Sequence, residues 1–167
     1  MILGSTPMEA ISPDTESLII QLVAQQRYSE AFALLNTKKS HAMAAHYNSA
    51  ICLYWSGNFQ AALSALANIQ LPTLSGSITN FNTNSAYQQI RTKQNQNNDH
   101  LLGISDAYIK HFPTQFQDSM IRLQTDCWLG LGNYPKVITT AQPIAHKGYQ
   151  NITHALKLAA TAHDERI

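Results

Sequence analysis

Charge is what this sequence has least of: Asp, Glu, Lys and Arg make up 13% of its 167 residues, about half the usual share. The formal net charge is +1 and the longest basic run is Lys38-Lys39. Such a surface offers no electrostatic footprint for a phosphate backbone or an anionic membrane, so nucleic acid is not an expected partner. Cysteine is nearly absent. Cys52 and Cys127 form no CxxC and lie in apolar helical patterns, which points to buried thiols in a reducing compartment rather than to a disulfide. No apolar run approaches the roughly 18 residues of a membrane span, and the stretch from Met1 to Pro7 lacks the basic and long apolar regions of a secretory signal. Membrane insertion is therefore not expected, and a cytoplasmic location is.

Catalytic and metal motifs are missing too. There is no HExxH, no paired Cys/His spacing, no GxSxG, no Walker sequence and no dinucleotide fingerprint, and the few acidic residues form no nearby pair. Of the seven histidines, His41 and His46 are five apart and His146 and His154 eight apart, which suits no metal. The expectation is a non-enzymatic chain with no cofactor and no metal.

What is present is helical periodicity. Ser12-Pro13-Asp14-Thr15-Glu16 reads as a helix start, with Ser as cap, Pro at the first helical position and acids in the first turn. A first helix is predicted from about 13 to 25, with residues 1–11 a flexible N-terminus. Apolar residues then recur at helical spacing, as at Leu18, Leu22 and Val23 and at Ala31, Leu34 and Leu35, with no sustained period-two alternation. The polar turns Gln25-Gln26-Arg27, Ser56-Gly57-Asn58 and Leu131-Gly132-Asn133 each precede an aromatic: Tyr28, Phe59 and Tyr134. A loop insertion is predicted at about 71–84, where Pro72, Gly76 and several Ser, Thr and Asn residues gather, and a second polar interruption at Gln94 to Asp99. One domain over 12–167 follows, closed by a helix from Tyr149 to about His163 with Ile152, Ala155, Leu156 and Ala159 on one face.

Residues 47–66 carry the most specific pattern. Small residues at Ala50 and Ala62 let two antiparallel helices approach, Leu53, Phe59 and Leu66 fill the space around them, and Gly57 allows the turn. This stretch resembles a tetratricopeptide (TPR) unit. Trp128, Gly132-Asn133-Tyr134, Val137, Ala141 and Ile144 repeat the scheme with Thr125 at the small-residue site, and Ile19, Leu22 and Tyr28 to Leu35 give a first copy with Gln26 where Gly is expected. Phe59 follows Tyr28 by 31 residues and precedes Tyr134 by 75, about twice the period of roughly 34. A degenerate copy over 84–112 is therefore expected, supplied by Tyr87, Ile90, Leu101, Ser105 and Tyr108, unless a helical insertion breaks the repeat. Cys52 and Cys127 fall two residues after equivalent small-residue sites, which explains them by packing rather than catalysis.

The resemblance implies an all-α, TPR-like superhelix of three to four helical hairpins plus a C-terminal capping helix. It also implies a concave groove lined by Tyr47, Ile51, Tyr54 and Trp55 in the second unit, by Glu16, Ile20, Val23 and Ala24 in the first, and by Arg122, Asp126, Leu129 and Gly130 in the last. The aromatic patch around Tyr47, Tyr54 and Trp55 would either anchor a partner or pack against a neighbouring repeat or the 71–84 loop. The Lys, Asn and Arg set with which some TPR domains clamp a terminal carboxylate is lacking. The expected function is an adaptor or assembly factor that holds an apolar or amphipathic segment of a protein partner. A secretion chaperone resembling those of type III translocators and a permanent subunit of a larger complex are the alternatives.

Overall fold

The computed structural model describes residues 10–37, 40–71 and 84–164. Among these it is all-helical: α1 (Pro13–Ala24), α2 (Tyr28–Thr37), α3 (Met43–Trp55), α4 (Phe59–Ala67), α5 (Ser85–Gln94), α6 (Asp106–His111), α7 (Pro113–Gly130), α8 (Tyr134–Ala141) and α9 (Gln150–Asp164), with 3-10 turns at Asp99–Leu101 and Gln142–Lys147. The N-terminus expected to be flexible and most of the 71–84 loop lie outside the described residues. No helix among the described residues is long and apolar enough to cross a membrane.

Local chemistry sets the helix ends. Side chains of Ser12, Asn58, Asn84, Ser105 and Asn133 each accept a hydrogen bond from an amide two or three residues on, satisfying donors that the first helical turn leaves open. Three turns share one geometry. The amides of Gln26, Gly57 and Gly132 donate to the carbonyls of Val23, Tyr54 and Leu129, and the next amide in each turn donates to Leu22, Leu53 and Trp128. That bond pair requires left-handed backbone at the first position, and φ is 60° at Gln26, 79° at Gly57 and 66° at Gly132. Gln26 thus adopts the conformation its two counterparts reach as glycine.

Each turn folds a hairpin: α1 on α2, α3 on α4, α7 on α8. The second helix of one hairpin packs on the first helix of the next, α2 on α3 and α4 on α7, and α9 covers α8 and α7. Burial repeats with the sequence offsets of 31 and 75: Ile19, Ala50 and Thr125 are buried, as are Ala31, Ala62 and Val137. Thr125 fits a small, apolar position because its hydroxyl donates to Ile121 O at 2.8 Å. At Gly130 the Phe59 ring of α4 lies directly against the α7 backbone, since a Cβ there would stand 2.6 Å from that ring. The main core joins α1–α4, α6 and α7, and smaller clusters sit under α8 and α9.

The copy expected over 84–112 does not form a hairpin. α7 takes its place beside α4, and α6 lies against α3 and α7 instead of pairing with α5. α5 buries none of its residues, and Ile90, expected on its packed face, is 64% exposed. With few apolar residues facing one way, α5 has no stripe to bury, and after it residues 97–106 cross the stack on the way to α6.

Candidate functional site

The returning chain lies on one face of the three first helices. On α1 that face is Glu16, Ile20 and Val23 and on α3 it is Ala44, Tyr47, Asn48 and Ile51, each set at the three-, four- and seven-residue spacing of a helix stripe, and on α7 it is Arg122 and Asp126, four apart. Residues 97–106 cross it with only one turn of regular structure. Several of their polar groups are met by scaffold side chains.

Asn48 is the most economical contact. Its Nδ2 donates to Ile104 O and its Oδ1 accepts from Ile104 N–H, both at 2.9 Å, so one amide side chain pairs both main-chain groups of a single extended residue. Glu16 Oε1 accepts from Asp106 N–H at 2.9 Å, and Asp106 Oδ1 in turn accepts from Ala44 N–H at 3.1 Å, capping α3 where Ala42 offers no side-chain acceptor. Tyr47 donates from its hydroxyl to His100 O at 2.6 Å, with its ring edge-on to Phe116 at 5.4 Å. Burial pushes its pKa well above the ordinary tyrosine value. Gly103 touches α1 so closely that a Cβ would stand 3.0 Å from Ile20 Cα and 3.4 Å from Val23 Cβ.

Arg122 is the charged centre and is 1% exposed. It donates through Nη1 to Asp99, through Nη2 to Asn97 O at 2.6 Å and through Nε to Asn151 Oδ1 at 2.9 Å, while its guanidinium lies 4.5 Å from the Tyr149 ring centroid. Asp126 accepts from Asn151 Nδ2 at 2.9 Å and meets His100 Nε2 at 2.6 Å. A buried cation with five donors is tolerable only when its donors are met, and here most are met by the crossing segment and α9.

The sequence-derived groove residues therefore divide. Tyr47, Ile51 and Arg122 are buried, Ile20 and Asp126 are mostly covered, and the chain's own residues 97–106 contact the face they line. Tyr54 and Trp55, at the end of α3, are not in that set. Trp55 is 48% exposed and stacks on Tyr28 at 5.2 Å, and Tyr54 packs against Phe59 at 5.6 Å. Burial, with Asp126 and Cys127 nearby, raises Tyr54 to about 12. Beside Trp55 is an apolar cavity of about 270 Å³ lined mainly by Tyr28, Phe32, Cys52 and Leu53. Sequence reasoning missed Asn48 and the crossing segment. Asn48 lies on the same stripe as Ile51 but is not among the residues expected to line the groove, and nothing in the pattern of residues 97–106 marks them as an occupant.

Little on this face can do bond chemistry. His100 and Asp126 have the spacing of a base and its orienting carboxylate, but the imidazole is fully buried, so no substrate proton could reach it. Both thiols are free and buried, and burial pushes Cys52 up to about 11 and Cys127 up to about 12, away from the thiolate a nucleophile needs. No group of three or more His, Cys, Asp or Glu among the described residues is placed to hold a metal. No protein-family model matches the chain, and neither a curated protein nor a solved structure matches it.

Proposed function

We propose that the chain is a non-enzymatic, cytoplasmic protein-interaction module of TPR type, which holds a segment of a partner protein against the face of its first helices. The observation that carries the reading is the Asn48 clamp: a side chain on that face binds both main-chain groups of an extended residue at 2.9 Å. This is contact that recognises polypeptide as polypeptide, with neighbouring pockets left to read side chains. The three equivalent turns and the two sequence offsets support the assignment to a repeat of helical hairpins, in which successive first helices present one continuous face.

At the end of α3, Trp55 is half-exposed beside an apolar cavity, and the Tyr54 ring packs edge-on against it. Rigid aromatic side chains beside a pocket are the usual anchors of an interface. The test is quantitative affinity capture from the source cells with the natural chain and with Tyr54→Ala/Trp55→Ala. Proteins enriched by the natural chain and lost with the double variant, at unchanged helical circular dichroism, are the expected result. Equal recovery with both chains, or nothing above a control, would overturn the reading.

A further inference from the structure

Residues 97–106 sit on the scaffold as a ligand would. Apart from the Asp99–Leu101 turn they have no regular structure before α6, and side chains of α1, α3 and α7 hold them. The hold is imperfect. Among the described residues, the buried side-chain polar atoms left without a partner are Asn95 Oδ1 and His100 Nδ1, one at the edge of this segment and one within it. A buried acceptor without a donor weakens the contact it belongs to. On its N-terminal side the segment follows α5, which buries none of its residues and whose end is held to the start of α9 through Asn95 and Gln96; Leu102 within the segment is 51% exposed. Among the described residues every other buried side-chain polar atom has a partner, so the mismatch lies at or beside the crossing segment.

We propose that residues 97–104 are a built-in occupant of a peptide-binding face, and that a partner segment of the same chemistry displaces them. The occupant specifies that chemistry. Arg122 takes a carboxylate, as it takes Asp99. The Ile20 backbone and Val23 crowd any side chain four residues later, where Gly103 stands and a Cβ would lie 3.0 Å from Ile20 Cα, so glycine fits there best. Asn48 grips the main chain of the next residue, apolar as Ile104 is. The partner is thus an extended peptide segment with an acid, a glycine four positions on and an apolar residue after it. The cis segment keeps the face closed until such a segment competes, because the bound and free forms of the face differ only in which chain fills it. This inference rests on the reading of the chain as a polypeptide-binding module.

The test uses the full chain with residues 97–104 replaced by a Gly/Ser stretch of equal length, and a fluorescein-labelled synthetic peptide of residues 95–106 followed by fluorescence anisotropy. The expected result is saturable binding to the replaced chain, at least tenfold weaker binding to the natural chain, and at least tenfold weaker binding when Asn48→Ala is added to the replaced chain. A replaced chain that folds and binds no peptide overturns the proposal, and so does equal binding to both chains. If the replaced chain does not fold, native-state hydrogen exchange on the natural chain decides. The amides of Ile104 and Asp106 should exchange through an opening that leaves Ile51 and Leu123 protected. Exchange of all four at one common rate means a permanent part of the core and overturns the proposal. The capture experiment reads Tyr54 and Trp55 instead, so a failure here and a failure of the interaction-module reading are told apart.

Discussion

Replacing Asn48 by Ala removes the clamp without touching any helix end. Asn48 is buried and bonds Ile104 N–H and Ile104 O at 2.9 Å each, and Ile104 is itself buried. Alanine leaves both main-chain groups in a dry site with no partner, at about 1–3 kcal/mol for each orphaned group. The two together set an expected loss of about 2–6 kcal/mol. The upper end applies only if the segment stays in place. If it lifts off, water satisfies Ile104 and the cost is limited to the free energy of lifting. Asn48→Asp is the informative companion. It keeps an acceptor for Ile104 N–H but sets a second acceptor against Ile104 O, so it should destabilise at least as much as alanine. The assay is urea unfolding followed by circular dichroism, paired with hydrogen exchange at the Ile104 amide. A loss below about 0.5 kcal/mol, the range of an ordinary surface substitution, together with unchanged protection at Ile104 would refute the assignment of Asn48 as the residue that fastens the segment.

Two further outcomes follow from the turns and the thiols. Gln26 holds φ at 60°, which costs a non-glycine residue about 1–2 kcal/mol, partly offset by glycine's greater chain entropy of about 0.5–1 kcal/mol. Gln26→Gly should therefore stabilise the chain by about 0.5–1 kcal/mol, and Gly132→Ala, where a Cβ meets no atom within 4 Å, should lower stability through backbone strain alone; thermal melts that move in the opposite directions would contradict the shared turn geometry. Cys52 and Cys127, raised to about 11 and about 12 by burial, should react with a thiol reagent at mildly alkaline pH about 100-fold or more slowly in the native chain than in denaturant, and rapid labelling of either thiol in the folded chain would show that its helix packing is misplaced.

Much of the local architecture was legible in the residues. The Ser12-Pro13 start, the Gly57 and Gly132 turns and the paired small residues Ala50 and Ala62 depend on neighbours close in sequence, and they placed α1, α3, α4, α7 and α8 before any tertiary contact was considered. The 75-residue interval between Phe59 and Tyr134 was legible as an irregularity, but not what fills it. A period longer than expected fits a degenerate hairpin and an excursion equally well, and only packing separates them.

Sequence periodicity also identified the face of the first helices, because residues four apart on a helix share a side whatever lies opposite. It could not say what covers that face. Whether Tyr47 meets solvent, a partner or His100, and whether Arg122 is a groove residue or a buried hub for Asp99, Asn97 and Asn151, depends on contacts 20 to 60 residues apart in the chain. The sequence by itself determined the helices, their turns and the stripe they present. Tertiary structure alone decided that residues 97–106 cross the stripe, because the bonds holding them are made by polar groups such as Asn48, whose place on the helix does not name a partner and which acquire one only when the chain folds back.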